Sequence, residues 1–200
     1  LLIAEGVRLF SAMSGPEFEG TLIGFLGTQF HHHPWHGLRF WDLIQPFFMF
    51  IVGVAIPFSV ATRAAKGDTQ REILQHALVR SFKLLLLGWG LYCIGPGEIT
   101  FRFQNVLAQL SVTYLIAFLI MNRSFAVQFG ISIFLLVLTD ILYRTFPVDG
   151  FNQAYEPSKN FGAYVDMKIS GELSGGHWVS FNAIPTAAHT IWGVLAGQLL

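Results

Sequence analysis

Four of the seven histidines in this chain fall within six residues, in His31-His32-His33-Pro34-Trp35-His36, and an aspartate, Asp42, follows six positions later. An apolar run begins directly after it. Imidazole and carboxylate at this spacing support three kinds of chemistry. They can bind a metal, they can ligate haem, or one imidazole oriented by a carboxylate can take a proton from an attacking nucleophile. Metal binding fits poorly, because three consecutive side chains cannot converge on one ion from regular structure and no His-Glu-x-x-His spacing exists. Haem ligation needs a histidine facing these from another helix, for which His189 is the candidate. The alternative without chemistry is a set of interfacial side chains among lipid headgroups, with Trp35 and Trp41 as an aromatic belt. On residues alone, the general-base and interfacial readings stand level. Asp42 has a structural alternative too, as a first-turn anion favoured by the helix dipole.

Other polar residues occupy positions where a membrane chain keeps few of them. Arg102 lies between Phe101 and Phe103 just ahead of an apolar run and reads as a headgroup anchor or an anion clamp. His189 and Asp140 lie inside apolar runs, where ionisable groups mark function or pair with one another. Arg144, four residues beyond Asp140, is placed to be its partner.

The elements that must position these residues are membrane helices. Of 200 residues, 53% are hydrophobic and 12% charged, with 20 phenylalanines and a mean hydropathy of +0.54; soluble domains carry roughly 25% charged residues. The net charge is zero, so nothing points to nucleic acid, and the lone Cys93 excludes an internal disulfide or a cysteine-based metal site. The fold class is all-α, a polytopic transmembrane bundle with five to six spans and a long outer loop. Residues 1–12 read as the last turns of a first helix, 13–28 as a Gly- and Pro-containing connection, and 42–62 as a span with a kink at Pro57. Residues 63–83 read as a basic connection carrying Arg63, Lys66, Arg71, Arg80 and Lys83, with an amphipathic lead-in from Ile73 to Leu78. The next span ends near Ile94 before Gly95-Pro96-Gly97. Further spans follow at 106–121, at 124–146 and from about 181 to 200, with a turn at Asn122-Arg123-Ser124 and a long connection at 147–180. Gly193 and Gly197 allow a close helix contact. Both ends read as cut through helices, so residues 1–200 are taken as one transmembrane domain, incomplete at each end.

Lysine and arginine tie at six on each side, but five of one set fall in one short loop. That density places residues 63–83 and Arg123 in the cytoplasm, and the histidine stretch with residues 95–105 and 147–180 in the periplasm. The aromatics of the long connection suit either a sugar face or a lid at the membrane interface.

The segment His32-x-x-Trp35-x-Gly37-Leu38-x-x-x-Asp42-Leu43, running into Pro46 and Phe47-Phe48-Met49-Phe50-Ile51-Val52-Gly53, resembles the signature of the heparan-α-glucosaminide N-acetyltransferase family, in its bacterial branch. Arg102-x-x-Asn105-Val106-Leu107-x-Gln109-Leu110, Ala163-Tyr164-Val165-Asp166 and Thr186-Ala187-Ala188-His189-Thr190-Ile191 resemble further family segments in order along nearly the whole chain. The resemblance implies a membrane acetyltransferase of the bacterial inner membrane. Such an enzyme takes acetyl-CoA from the cytoplasm and an amine or hydroxyl of a periplasmic glycan or amino sugar as acceptor. Homo-oligomerisation is left open. It puts the catalytic histidine at His32 and its aspartate at Asp42, with Glu5 near the place of the family's active-site asparagine and His189 in place of another. Arg102, Asn105, Thr186, His189 and Glu5 are then expected around the substrates, with Asn105, Thr186 or His189 as oxyanion donors. The basic connection would receive the CoA phosphates or serve only as a positive-inside signal. The alternative function is a secondary transporter with Glu5, Asp140 and His189 as a relay.

Overall fold

A computed structural model describes residues 2–94 and 97–200, so the Gly95-Pro96 part of the expected breaker lies outside the described residues. All the regular structure among them is helical, as the apolar periodicity requires. The chain forms two compact units, Leu1–Phe48 and Met49–Leu200.

In the first unit, two five-residue helices, α1 (Leu2–Gly6) and α2 (Leu9–Met13), replace the expected continuous helix end. The break has a backbone cause: Arg8 adopts the left-handed conformation, with φ of 56°. The expected connection at 13–28 also has structure of its own. A single tight turn at Pro16–Phe18 leads into α3 (Leu22–Gln29), which Thr21 caps by accepting the Gly24 N–H. Gly27 lies directly on the Met13–Ser14 backbone, where a Cβ would clash, so α3 packs against the end of α2.

The apolar run from Ile44 forms α4 (Ile44–Ala65), which continues unbroken through Pro57. α5 (Gln70–Ile94) takes in the expected amphipathic lead-in from Ile73 and leaves only four residues between the two helices. Thr69 and Glu72 form a reciprocal cap, the Glu72 carboxylate accepting from the Thr69 N–H at 2.7 Å and the Thr69 hydroxyl accepting from the Glu72 N–H at 3.3 Å. Arg71, Arg80 and Lys83 therefore sit on a helix, not in a loop. α6 (Val106–Ile120), α7 (Phe125–Thr145), α8 (Phe161–Ile169) and α9 (Ala183–Leu199) complete the second unit.

Helices α4, α5 and α7 are long and apolar enough to cross a membrane, and most of their residues face outward. The protein is an all-α integral membrane helix bundle. Its centre is α6 and α9, which pack on each other and carry the fully buried Ala117, Ile191 and Val194; α5 lies against α6 and α7 against α9. The seam between α4 and α9 is set by small residues. A Cβ at Gly53 would run into the Thr190 carbonyl, one at Gly193 into the Phe50 carbonyl and one at Gly197 into the Val54 carbonyl. This bears out the close contact expected of Gly193 and Gly197.

The long connection after α7 is an ordered cap built around α8. Phe161 and Phe181 pack ring to ring with each other and with Tyr143 of α7, and Phe146 packs on Phe161 and Tyr164. Tyr155 stacks on Tyr143 and its hydroxyl donates to Asp140 at 2.5 Å. Most of the aromatics expected to offer a sugar face are used in packing against one another.

Candidate active site

The histidine stretch lies in the first unit, after α3, and a tight turn at Phe40–Leu43 brings Asp42 back to it. His32 Nδ1 and Asp42 Oδ1 are 2.7 Å apart. The other carboxylate oxygen accepts two backbone N–H groups, from Arg39 at 2.9 Å and His33 at 3.2 Å. The Arg39 guanidinium donates to the His32 carbonyl at 2.9 Å, closing the loop on itself. Asp42 is thus both the expected first-turn anion and the partner of one histidine, and the two roles use different oxygens. The His32 ring meets Trp41 edge to face, with centroids 6.5 Å apart, above a stack of Phe10 and Phe30 at 4.2 Å. The imidazole is about half exposed, with 53% of its side-chain surface accessible.

A carboxylate on Nδ1 has a direct chemical consequence. It holds the neutral ring with its proton on Nδ1, so Nε2 presents the lone pair that can accept a proton or attack a carbonyl. The other two histidines of the run have separate partners. His31 Nε2 lies 3.1 Å from the Ser14 hydroxyl, and His33 Nδ1 accepts weakly from the Trp35 N–H at 3.4 Å. Gly37 sits under the His33 ring, which a Cβ would overlap. Three consecutive imidazoles therefore point to three different places, and among the described residues no three His, Cys, Asp or Glu converge as metal ligands.

Glu5 is exposed on α1 in the same unit. The remaining candidates lie in the second unit. Arg102 pairs with Glu172 of the long connection, and its Nε is buried without a partner. Asn105 caps α6, accepting from the Ala108 N–H at 2.9 Å, while its amide donates to the Gly88 carbonyl at 2.7 Å. Both polar atoms of that side chain are therefore engaged, one in capping α6 and the other in tying it to α5. Thr186 sits in the first turn of α9. His189, one turn on, packs edge to face on Trp192 at 5.5 Å, with its Nδ1 buried and without a hydrogen bond. Asp140 is half exposed near the end of α7 and not deep in the span. Its carboxylate is held by Arg144 Nε at 2.9 Å, the expected partner, and by Tyr155. A proton relay through Asp140 would have to break both.

One polar cluster has no counterpart among the expected site residues. Asp166 of α8 is 1% exposed and accepts the Ser180 N–H on both oxygens, at 3.1 and 3.2 Å. Burial raises its pKa above the usual carboxylate value, against the lowering effect of hydrogen bonds from Ser180 and Gln104. No periodicity marks an aspartate inside a connection as buried; only its place in Ala163-Tyr164-Val165-Asp166 singled out the segment.

Fold and site together define an integral membrane helix bundle that carries a carboxylate-oriented imidazole at the start of a spanning helix. Among known proteins, the chain is similar to heparan-α-glucosaminide N-acetyltransferase of Mus musculus and of Homo sapiens, 35% identical to each over 92 residues. The match takes in 44% of this chain and 14% of the length of either relative. It bears out the resemblance read from the motifs, over a shorter stretch than nearly the whole chain. No family model matches the chain.

Proposed function

We propose that this chain is part of a membrane acetyltransferase that moves the acetyl group of acetyl-CoA to an amine or hydroxyl of a sugar or glycan. The observation that carries the reading is the 2.7 Å contact of His32 Nδ1 with Asp42, whose second oxygen is fixed by two backbone N–H groups. That arrangement supports Nδ1 as the nitrogen that carries the proton, which makes Nε2 the one to act as base or nucleophile. In direct transfer, Nε2 takes the proton of the attacking amine or hydroxyl as its lone pair adds to the thioester carbon. The C–S bond then breaks, and the proton goes from the imidazolium to the departing thiolate. In the two-step form, Nε2 itself adds to the thioester carbon and the C–S bond breaks, releasing CoA thiolate; the acceptor then attacks the acyl-imidazole, the C–N bond breaks, and the acceptor's proton passes to the freed Nε2. Asp42 balances the positive charge on the ring in either case.

The relatives' names support N-acetylation of a glucosaminide as the starting point for acceptors. The density of basic residues from Arg63 to Lys83 supports a cytoplasmic face there, with the histidine stretch on the periplasmic side of a bacterial inner membrane.

The test is transfer of label from acetyl-CoA to glucosamine-terminated glycans by the full-length protein in membranes. His32→Ala is expected to abolish transfer while the protein still accumulates and folds. Transfer at the wild-type rate by His32→Ala would overturn the site. Incubation without acceptor separates the two forms, since only an acyl carrier retains label on the protein.

A further inference from the structure

The second unit holds a cavity of about 330 Å³ between α4, α5 and α6, at the end where α4 finishes and α5 begins. Arg63 of α4 and His76, Arg80 and Lys83 of α5 line it, and no carboxylate does. On α5 these recur at intervals of four and three, so they share one helix face. Leu84 and Leu87 continue the cavity wall beyond them, away from the start of α5, and Val60 lies inward of Arg63 on α4. Ile73 and Ala77 also line the cavity, before and among the basic residues of α5.

The nearby carboxylates reach Arg63 and His76 and leave Arg80 and Lys83. Asp68 pairs with Arg63 at 3.1 Å, and the Glu72 carboxylate is held by Thr69. Arg80 lies over the Tyr114 ring, 4.9 Å from its centroid. Neither Arg80 nor Lys83 has a carboxylate partner among the described residues, although both sit on a helix apolar enough to span a membrane. Unpaired cations cost most in such a place and gain most from an anion there. The outer wall is not sealed: Val79 and Leu87 line the cavity and are 49% and 61% exposed on the outward side of α5.

From this we infer that the cavity binds an anionic phospholipid, with its phosphate on Arg80 and Lys83 and the start of one acyl chain along Leu84 and Leu87. Leu84 and Leu87, which follow Lys83 on α5, set an apolar wall directly beside the unpaired charge. The open flank on α5 gives a path from the bilayer. A water-soluble phosphate would use the basic groups but not the apolar wall or the lateral opening. Basic pockets between membrane helices are a known setting for lipid headgroups.

The experiment compares lipid retention by the full-length protein, purified in mild detergent with phosphatidylglycerol or phosphatidylcholine and read by native mass spectrometry. Wild type is expected to retain one phosphatidylglycerol per chain and to be thermally stabilised by it. The double variant Arg80→Gln/Lys83→Gln should lose about tenfold or more in retention. If that variant does not fold, the charge-conserving Arg80→Lys/Lys83→Arg pair is measured instead and should keep its preference for phosphatidylglycerol over phosphatidylcholine. Equal retention of the two lipids by wild type, or undiminished retention by the glutamine variant, overturns the assignment. So does protection by CoA or inorganic phosphate with none by phosphatidylglycerol, which would make the cavity a site for soluble phosphates. The measurement involves no turnover, so its failure leaves the His32 reading standing, and an inactive His32 site would leave this one.

Discussion

Replacing Asp42 by asparagine tests the link between local structure and chemistry most directly. The carboxylate has three partners: His32 Nδ1 at 2.7 Å, the Arg39 N–H at 2.9 Å and the His33 N–H at 3.2 Å. Asparagine keeps one acceptor oxygen and replaces the other with an NH2 donor. If the NH2 faces the backbone, two N–H groups meet a donor, and each unsatisfied amide costs about 1–3 kcal/mol. If it faces His32 instead, both backbone bonds survive on the oxygen, and the ring needs only to change tautomer, accepting on Nδ1 and carrying its proton on Nε2. The second arrangement wins, and it removes the lone pair from the nitrogen that must accept a proton. The same exchange in a hydrolase triad lowers kcat by about 10⁴; for a half-exposed ring we expect a loss of about 10³, or about 4 kcal/mol in the barrier. Stability should fall by only about 1 kcal/mol, because the pair is partly screened by solvent. The assay is initial-rate acetyl transfer from labelled acetyl-CoA, beside thermal unfolding of the same preparation. An Asp42→Asn protein that keeps more than a tenth of wild-type kcat, with its fold intact, would refute the tautomer argument. One that unfolds would show that the turn at Phe40–Leu43, not the imidazole, is what Asp42 serves.

Asn105→Ala removes a helix cap and the tie to Gly88, and should lower stability by about 1–3 kcal/mol, read as a fall in Tm, while transfer per folded molecule changes little. Gly193→Ala places a methyl group against the Phe50 carbonyl and should cost about 1–3 kcal/mol of overpacking, with a matching drop in Tm. Asp166 binds its proton more tightly folded than unfolded, so its contribution to stability is present below the ordinary aspartate pKa and is lost as pH rises through the folded value. Asp166→Asn retains an acceptor for the Ser180 N–H, so its Tm should gain on wild type between acidic and neutral pH; a pH-independent difference would mean that the charge is not what matters there.

Much of this was legible before any coordinates. The apolar runs after Asp42 and after Ser124 are long and uninterrupted, and both form helices close to where the pattern puts them. The Asp140–Arg144 pair follows from helical spacing alone. His32 and Asp42 were legible for a different reason, as one imidazole and one carboxylate of a recognisable motif; which of three adjacent histidines the carboxylate meets depends on the turn at Phe40–Leu43. The spacing of Ile73, Leu74, Ala77 and Leu78 points to the first turns of α5, while Arg71, Arg80 and Lys83 look like loop residues by charge and hide its exact start. The Thr69-x-x-Glu72 cap was the signal that would have placed it. The break at Arg8 has no such signal, since a left-handed arginine is set by its surroundings. Asn105 looked free to serve chemistry because its partner, the Gly88 carbonyl, belongs to another helix.

The glycine seam between α4 and α9 has a consequence for biosynthesis. Gly193 leaves the ribosome about 140 residues after Gly53, which is roughly 7–28 s later at 5–20 residues per second. For that interval α4 sits in the bilayer with the groove along Gly53 filled by lipid chains or by another protein. This close contact therefore forms only well after α4 has inserted, and truncation before α9 should leave a chain that inserts but never locks.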